Sequence, residues 1–151
     1  MNPRITISDC TQNQLDHVWA NLREADRAEM LVSGRTDENY REFLTVCTDL
    51  KCGSLDGEPV VVWGHTVDPN LINCGFFATD AAGPWWVTIT RVAKQYIADL
   101  RERHPDLPIY VGCDAHHTHS LRWLAVLGFE WTGGWINYPN GRLICLEYRP
   151  R

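Results

Sequence analysis

Residues 106–129 constrain the fold of this chain more than any other stretch. Ile109, Tyr110, Val111, Gly112 and Cys113 form a short and almost wholly apolar run, the pattern of a strand buried on both faces. A polar loop of Asp114, His116, His117 and Thr118 follows. Residues 120–127 then read as a short apolar helix, stopped by Gly128 as a left-handed cap. Phe129 and Trp131 open the next strand. A buried strand that leads through a polar turn into a helix belongs to an α/β domain, because such a strand needs cover on both faces.

The remaining text supplies the other elements. Residues 4–7 alternate and predict a first strand. Thr11 and Gln14 have the spacing of a capping box. Leu15, Val18, Trp19, Leu22, Ala25 and Met30 recur at helical spacing, so one helix is expected over residues 12–32. Its other face carries Arg23, Glu24, Asp26, Arg27 and Glu29, read as a solvated face with i,i+3 and i,i+4 pairs. A second helix is expected over residues 37–49, with Tyr40, Phe43, Leu44 and Cys47 inward. Strands are expected over 51–55, 60–66 and 70–79. Gly83-Pro84 signals a helix start. The stripe of Trp85, Ile89, Val92, Ala93, Tyr96, Ile97 and Leu100 carries that helix to about His104. Residues 135–138 and 143–148 flank Pro139-Asn140-Gly141 and read as a terminal hairpin. The order β-α-α-β-β-β-α-β-α-β-β describes a single α/β (α+β) domain over residues 1–151, a mixed sheet flanked by helices.

A net charge of −5 disfavours general attraction to nucleic acid or anionic membranes. No apolar run approaches the ~18 residues of a membrane span, and the first residues show no signal-peptide core. Six cysteines form no CxxC pair, and several sit in apolar strand-like text. They are expected to be reduced and mostly buried.

The order of elements, together with Leu127-Gly128-Phe129, resembles the Gcn5-related N-acetyltransferase family over nearly the whole chain. The resemblance implies coenzyme A beside Phe77 and Ala78, at the helix start formed by Gly83, Trp85, Trp86 and Val87, and along His117 and Leu124. The helix text from Trp19 to Met30 is similar to the opening helix of the internal virion proteins of short-tailed coliphages. That similarity implies a protein of the host cytoplasm that is packaged in the virion or acts in its assembly, with other phage or host proteins as partners.

Two departures from the acetyltransferase pattern bear on activity. The family's Arg-x-x-Gly-x-Gly/Ala loop, whose N–H groups cradle a pyrophosphate, corresponds here to residues 78–88, with one Gly and no Arg. Pro84 removes a donor, Trp85 and Trp86 are bulky, and Asp80 adds negative charge. In the short helix His117 falls where the family often has Asn, and Leu124 falls where it has the Tyr that serves as general acid. The coenzyme site therefore reads as degraded. The first expectation is a virion-associated or assembly protein without a cofactor. The alternative is an active N-acetyltransferase using acetyl-CoA, with His65, Asp80 or His117 as candidate bases. A small inhibitor of a host enzyme is a third reading.

Cys113, Asp114, His116, His117 and His119 offer the right atoms for zinc. Four ligands from one short segment rarely reach tetrahedral geometry, so the sequence assigns no metal site. Trp85 matches the inward stripe, which leaves Trp86 partly exposed or covered by another loop or chain; a contact with a partner subunit is the expectation.

Overall fold

The computed structural model describes residues 4–150; residues 1–3 and 151, the ends of the expected domain, lie outside the described residues. Seven strands form one sheet: β1 (Ile5–Asp9), β2 (Thr48–Leu55), β3 (Glu58–Val67), β4 (Ile72–Ala78), β5 (Ile109–Cys113), β6 (Phe129–Tyr138) and β7 (Gly141–Tyr148). Their spatial order is β1-β2-β3-β4-β5-β7-β6. All neighbours are antiparallel except β4 and β5. The long helix α4 (Trp86–Arg103) carries the chain from β4 to its parallel neighbour β5, as parallel pairing requires.

Alternation along the strands sends side chains to two helical layers. On one face Cys52, Val62 and Phe77 pack with Leu15, Val18 and Trp19 of α1 (Gln12–Ala20). On the other face Ile109, Val111 and Cys113 pack with Ala93, Ile97 and Leu100 of α4. Leu124 and Leu127 of α5 (Thr118–Leu127) close that second layer. The capping box at Thr11 and Gln14 forms as expected. Gly128 caps α5 at φ 105°, a left-handed conformation that strains any residue with a Cβ.

The expected helix over residues 12–32 is broken into α1 and α2 (Glu24–Val32). The cause is long-range. Leu22 pairs with Thr79 in a single antiparallel bridge, and the Arg23 N–H donates to the Ala78 carbonyl at 3.0 Å. Two residues of backbone are thereby recruited to the end of β4. The expected helix over 37–49 shrinks to a 3-10 turn (Tyr40–Glu42) and the single turn α3 (Phe43–Val46). Thr48–Leu55 instead pairs with β1 on one side and β3 on the other. At Thr48 the pairing with His65 of β3 outweighs local helix preference.

The charged face of α2 is also not a solvated face throughout. Asp26 is 2% exposed, and its carboxylate accepts two hydrogen bonds from Arg23, each of 3.0 Å. The start of α4 is preceded by a 3-10 turn, Asp80–Trp85. Trp86 is half-buried there. Its ring packs 5.1 Å from that of Trp123, and the Arg23 guanidinium lies 4.9 Å over it. Its cover comes from its own chain. All six cysteines are free thiols, and Cys52, Cys74 and Cys113 are buried. No helix among the described residues is long and apolar enough to cross a membrane.

Candidate functional site

The parallel pairing of β4 with β5 lasts only from Ile72–Ile109 to Cys74–Val111. Beyond it, β4 stays with β3 as far as Ala78, and β5 stays with β7 as far as Cys113. The sheet therefore opens as a wedge between Gly75–Ala78 and Gly112–Cys113. Buried backbone groups at such an opening need other partners. α2 supplies them on both lips. The Ala78 N–H donates to Asp26 Oδ2 at 2.8 Å, and the Asp114 N–H donates to Glu29 Oε1 at 3.0 Å.

A cleft of about 310 Å³ runs through this wedge. Phe77, Ala78, Trp86 and Leu124 line it, as do Trp123 and Ser120. At Gly75 an added Cβ would meet no atom within 4 Å, so the cleft floor is bare backbone there. Gly64 and Gly112 lie in the neighbouring strands and also line the cleft. Most of the lining is apolar. Arg23, Asp26, Glu29 and Arg35 bring charge to it.

Of the residues singled out from sequence, His65, Phe77, Ala78, Trp86 and Leu124 meet at the cleft. Gly83, Trp85 and Val87 stand apart from it at the start of α4, where Val87 is 77% exposed. Asp80 is exposed on the 3-10 turn. His65 is 2% exposed, its Nδ1 hydrogen-bonded to the Tyr96 hydroxyl and its Nε2 buried without a partner. Burial first, and the Arg103 charge second, push its pKa below the ordinary imidazole value. The residue is thus almost wholly buried at the border of the cleft.

His117 behaves differently. Its Nδ1 lies 3.0 Å from Glu29 Oε1, and its Nε2 lies 2.9 Å from Ser120 Oγ. The three form a chain that ends in a hydroxyl on the cleft wall. Ser120 and Leu124 are spaced i,i+4, so they share one face of α5. Sequence reasoning missed Arg23, Asp26, Glu29 and Ser120. The i,i+3 spacing of Asp26 and Glu29 put them on one helical face. Nothing local said that this face meets the wedge.

The chain as a whole is similar in fold to known structures. A complex of AAC(6')-Ib with ribostamycin and coenzyme A superposes with a TM-score of 0.68 at 15% identity, covering 97% of this chain and 93% of that one. A GCN5-related N-acetyltransferase from Kribbella flavida gives 0.65 at 15% identity, over 97% and 98% of the two chains. An acetyltransferase of the GNAT family from Bacillus anthracis gives 0.65 at 16% identity, over 98% and 95%. The fold is that of the GCN5-related N-acetyltransferases. At such identities the likeness concerns the fold alone. The sequence matches no protein-family model and no curated protein.

Proposed function

We propose that this chain is an N-acyltransferase that moves an acetyl group from acetyl-CoA to an amine, with the thioester end of the donor lodged in the β4–β5 wedge. The observation that carries this reading is the wedge itself. Pairing stops at Cys74–Val111 while both strands continue, and a mostly apolar cleft fills the gap. Acetyl-CoA would supply the activated acyl group. The residues present fit its narrow arm: Phe77, Trp86, Trp123 and Leu124 give apolar walls, and Gly75 leaves the floor open. AAC(6')-Ib, similar in fold, is known in complex with coenzyme A, which agrees with this reading.

The diphosphate end has less to hold it. The α4 start still presents N–H groups and a partial positive charge, and the exposed Gly83 has no atom within 4 Å of an added Cβ. No Arg stands in the preceding turn. Binding energy is accordingly expected from the arm more than from the phosphates.

The chain's own groups have distinct tasks. Arg23 and Trp123 hold Trp86 as a fixed wall. Leu124 has no proton to give. Ser120, one turn earlier, holds one at the same wall and is backed by His117. Arg35, Thr66, Asn73 and Tyr138 line the cleft as well and offer hydrogen bonds to an acceptor. A role in virion assembly, implied by the coliphage similarity, gains no support from the structure or from the similar structures.

The test is turnover. Acetyl-CoA is incubated with the protein and a panel of amines that includes polyamines, aminoglycosides and peptide amines. Free thiol and acetylated amine are measured together. Stoichiometric appearance of both supports the reading; absence of thiol release above the protein-free rate with every amine contradicts it.

A further inference from the structure

Cys113, His117 and Glu29 come from three different elements, yet Sγ, Nδ1 and Oε1 all lie within 4.8 Å of one another. Glu29 and His117 side chains are 11% and 10% exposed, and Cys113 is buried. We infer that these three side chains bind a zinc ion, with the fourth coordination position left to the cleft. This goes beyond the acyltransferase reading and does not depend on it.

The first argument is hydrogen-bond capacity. Three groups converge on the single oxygen Glu29 Oε1: the Asp114 N–H at 3.0 Å, the Cys113 thiol at 3.2 Å and His117 Nδ1 at 3.0 Å. A carboxylate oxygen has two lone pairs. With a metal present, Cys113 and His117 become its ligands, and Oε1 keeps one lone pair for the ion and one for the Asp114 N–H. The thiol's alternative acceptor, the Asp114 carbonyl, is more distant at 3.6 Å.

The second argument is charge. Asp26 has Arg23 as its counter-ion. The ion pair found for Glu29 among the described residues is with His117, a cation only when protonated. A nearly buried carboxylate needs compensation. A divalent ion with one thiolate and one carboxylate is neutral as a unit. Binding requires the Cys113 thiol to release its proton to solvent, which the metal drives.

The third argument is geometry and support. Zinc bonds of about 2.0–2.3 Å place tetrahedral ligand atoms about 3.3–3.8 Å apart. The two separations from Oε1, 3.0 and 3.2 Å, need to open by a few tenths of an ångström. With Nδ1 on the ion, the ring proton sits on Nε2, where Ser120 Oγ at 2.9 Å accepts it. The Asp114 N–H orients Glu29 in the same way. Nitrogen, sulfur and one carboxylate oxygen with an open position is a zinc donor set. Sequence reasoning considered ligands from one segment only; Glu29 arrives from α2.

The test is metal content and cobalt spectroscopy on the full chain, neither of which needs acetyl-CoA. Protein purified without chelator is expected to carry one zinc per chain. Replacing zinc by Co²⁺ is expected to give intense visible bands of a tetrahedral site and a thiolate charge-transfer band. That band should vanish in Cys113→Ser and in His117→Gln, and persist in His116→Ala and His119→Ala. Ser120→Ala should weaken zinc affinity about 10- to 100-fold. Wild-type protein that holds no zinc and shows no cobalt–thiolate band, even if Cys113→Ser cannot be purified, overturns the inference. So does a band that survives His117→Gln.

Discussion

Asp26 and Glu29, three residues apart on α2, cap opposite lips of one opening in the sheet. Asp26 takes the Ala78 N–H from β4, and Glu29 takes the Asp114 N–H just past β5. One helical face thus serves the two backbone ends that parting of the strands would leave unpaired. The break between α1 and α2 is what lets that face reach the wedge.

Replacing Asp26 with Ala should therefore be costly. It leaves the Arg23 guanidinium, with a side chain 17% exposed, without its partner, and it orphans the Ala78 N–H. Breaking a buried pair from one side typically costs about 3–5 kcal/mol. Urea unfolding of Asp26→Ala is expected to show a loss of about 3 kcal/mol. A loss under about 1 kcal/mol would place Asp26 among ordinary surface pairs.

His65 gives the fold a pH dependence. Its folded pKa lies below the ordinary value of 6.5, mainly through burial. The neutral ring is the form the folded state accepts. Its contribution is complete above the unfolded pKa and is lost as pH falls through the folded one. Stability should decline from about pH 6.5 downward, and His65→Gln should flatten that decline. Equal slopes for the two proteins would contradict the assignment.

Gly128 holds φ at 105°, and an added Cβ would sit 3.0 Å from Tyr148 Cε1. Gly128→Ala should cost about 1–2 kcal/mol through the left-handed backbone, with the ring contact adding to it. Thermal unfolding measures this. An unchanged melting temperature would mean that the α5 cap relaxes to another conformation.

The parts that sequence made legible are those whose signal is local. The apolar run 109–113, the Gly128 stop and the stripe from Ile89 to Leu100 each define an element by its own spacing. The break at Leu22 was not legible, because the apolar spacing from Leu15 to Met30 runs straight across it. A bridge to Thr79 decides it. Thr48 and Asp49 had helix-compatible text, and the pairing of Thr48 with His65, far away in sequence, drew them into the strand.

The candidate site was legible on the side that follows helix α5 and strand β4. Phe77, Ala78, Trp86 and Leu124, which the resemblance sets beside coenzyme A, line the cleft. Which residues cover Trp86 was not legible. Adjacent tryptophans cannot share one face of a regular helix, but the 3-10 turn ending at Trp85 takes that residue out of the helical register. Asp26 and Glu29 looked like any charged pair on a wet face, since their partners Ala78 and Asp114 lie 52 and 85 residues away.

Calorimetric titration with acetyl-CoA, on wild-type protein and on Gly75→Val, tests the wedge most directly. Gly75 has open space around its Cβ direction, so Val is tolerated by the strand while it narrows the cleft. Wild-type protein should bind with micromolar affinity, about 8 kcal/mol, and the variant should fold with normal stability and lose that binding. Absence of wild-type heat at millimolar ligand, or equal affinity in the two proteins, would contradict a thioester site between β4 and β5.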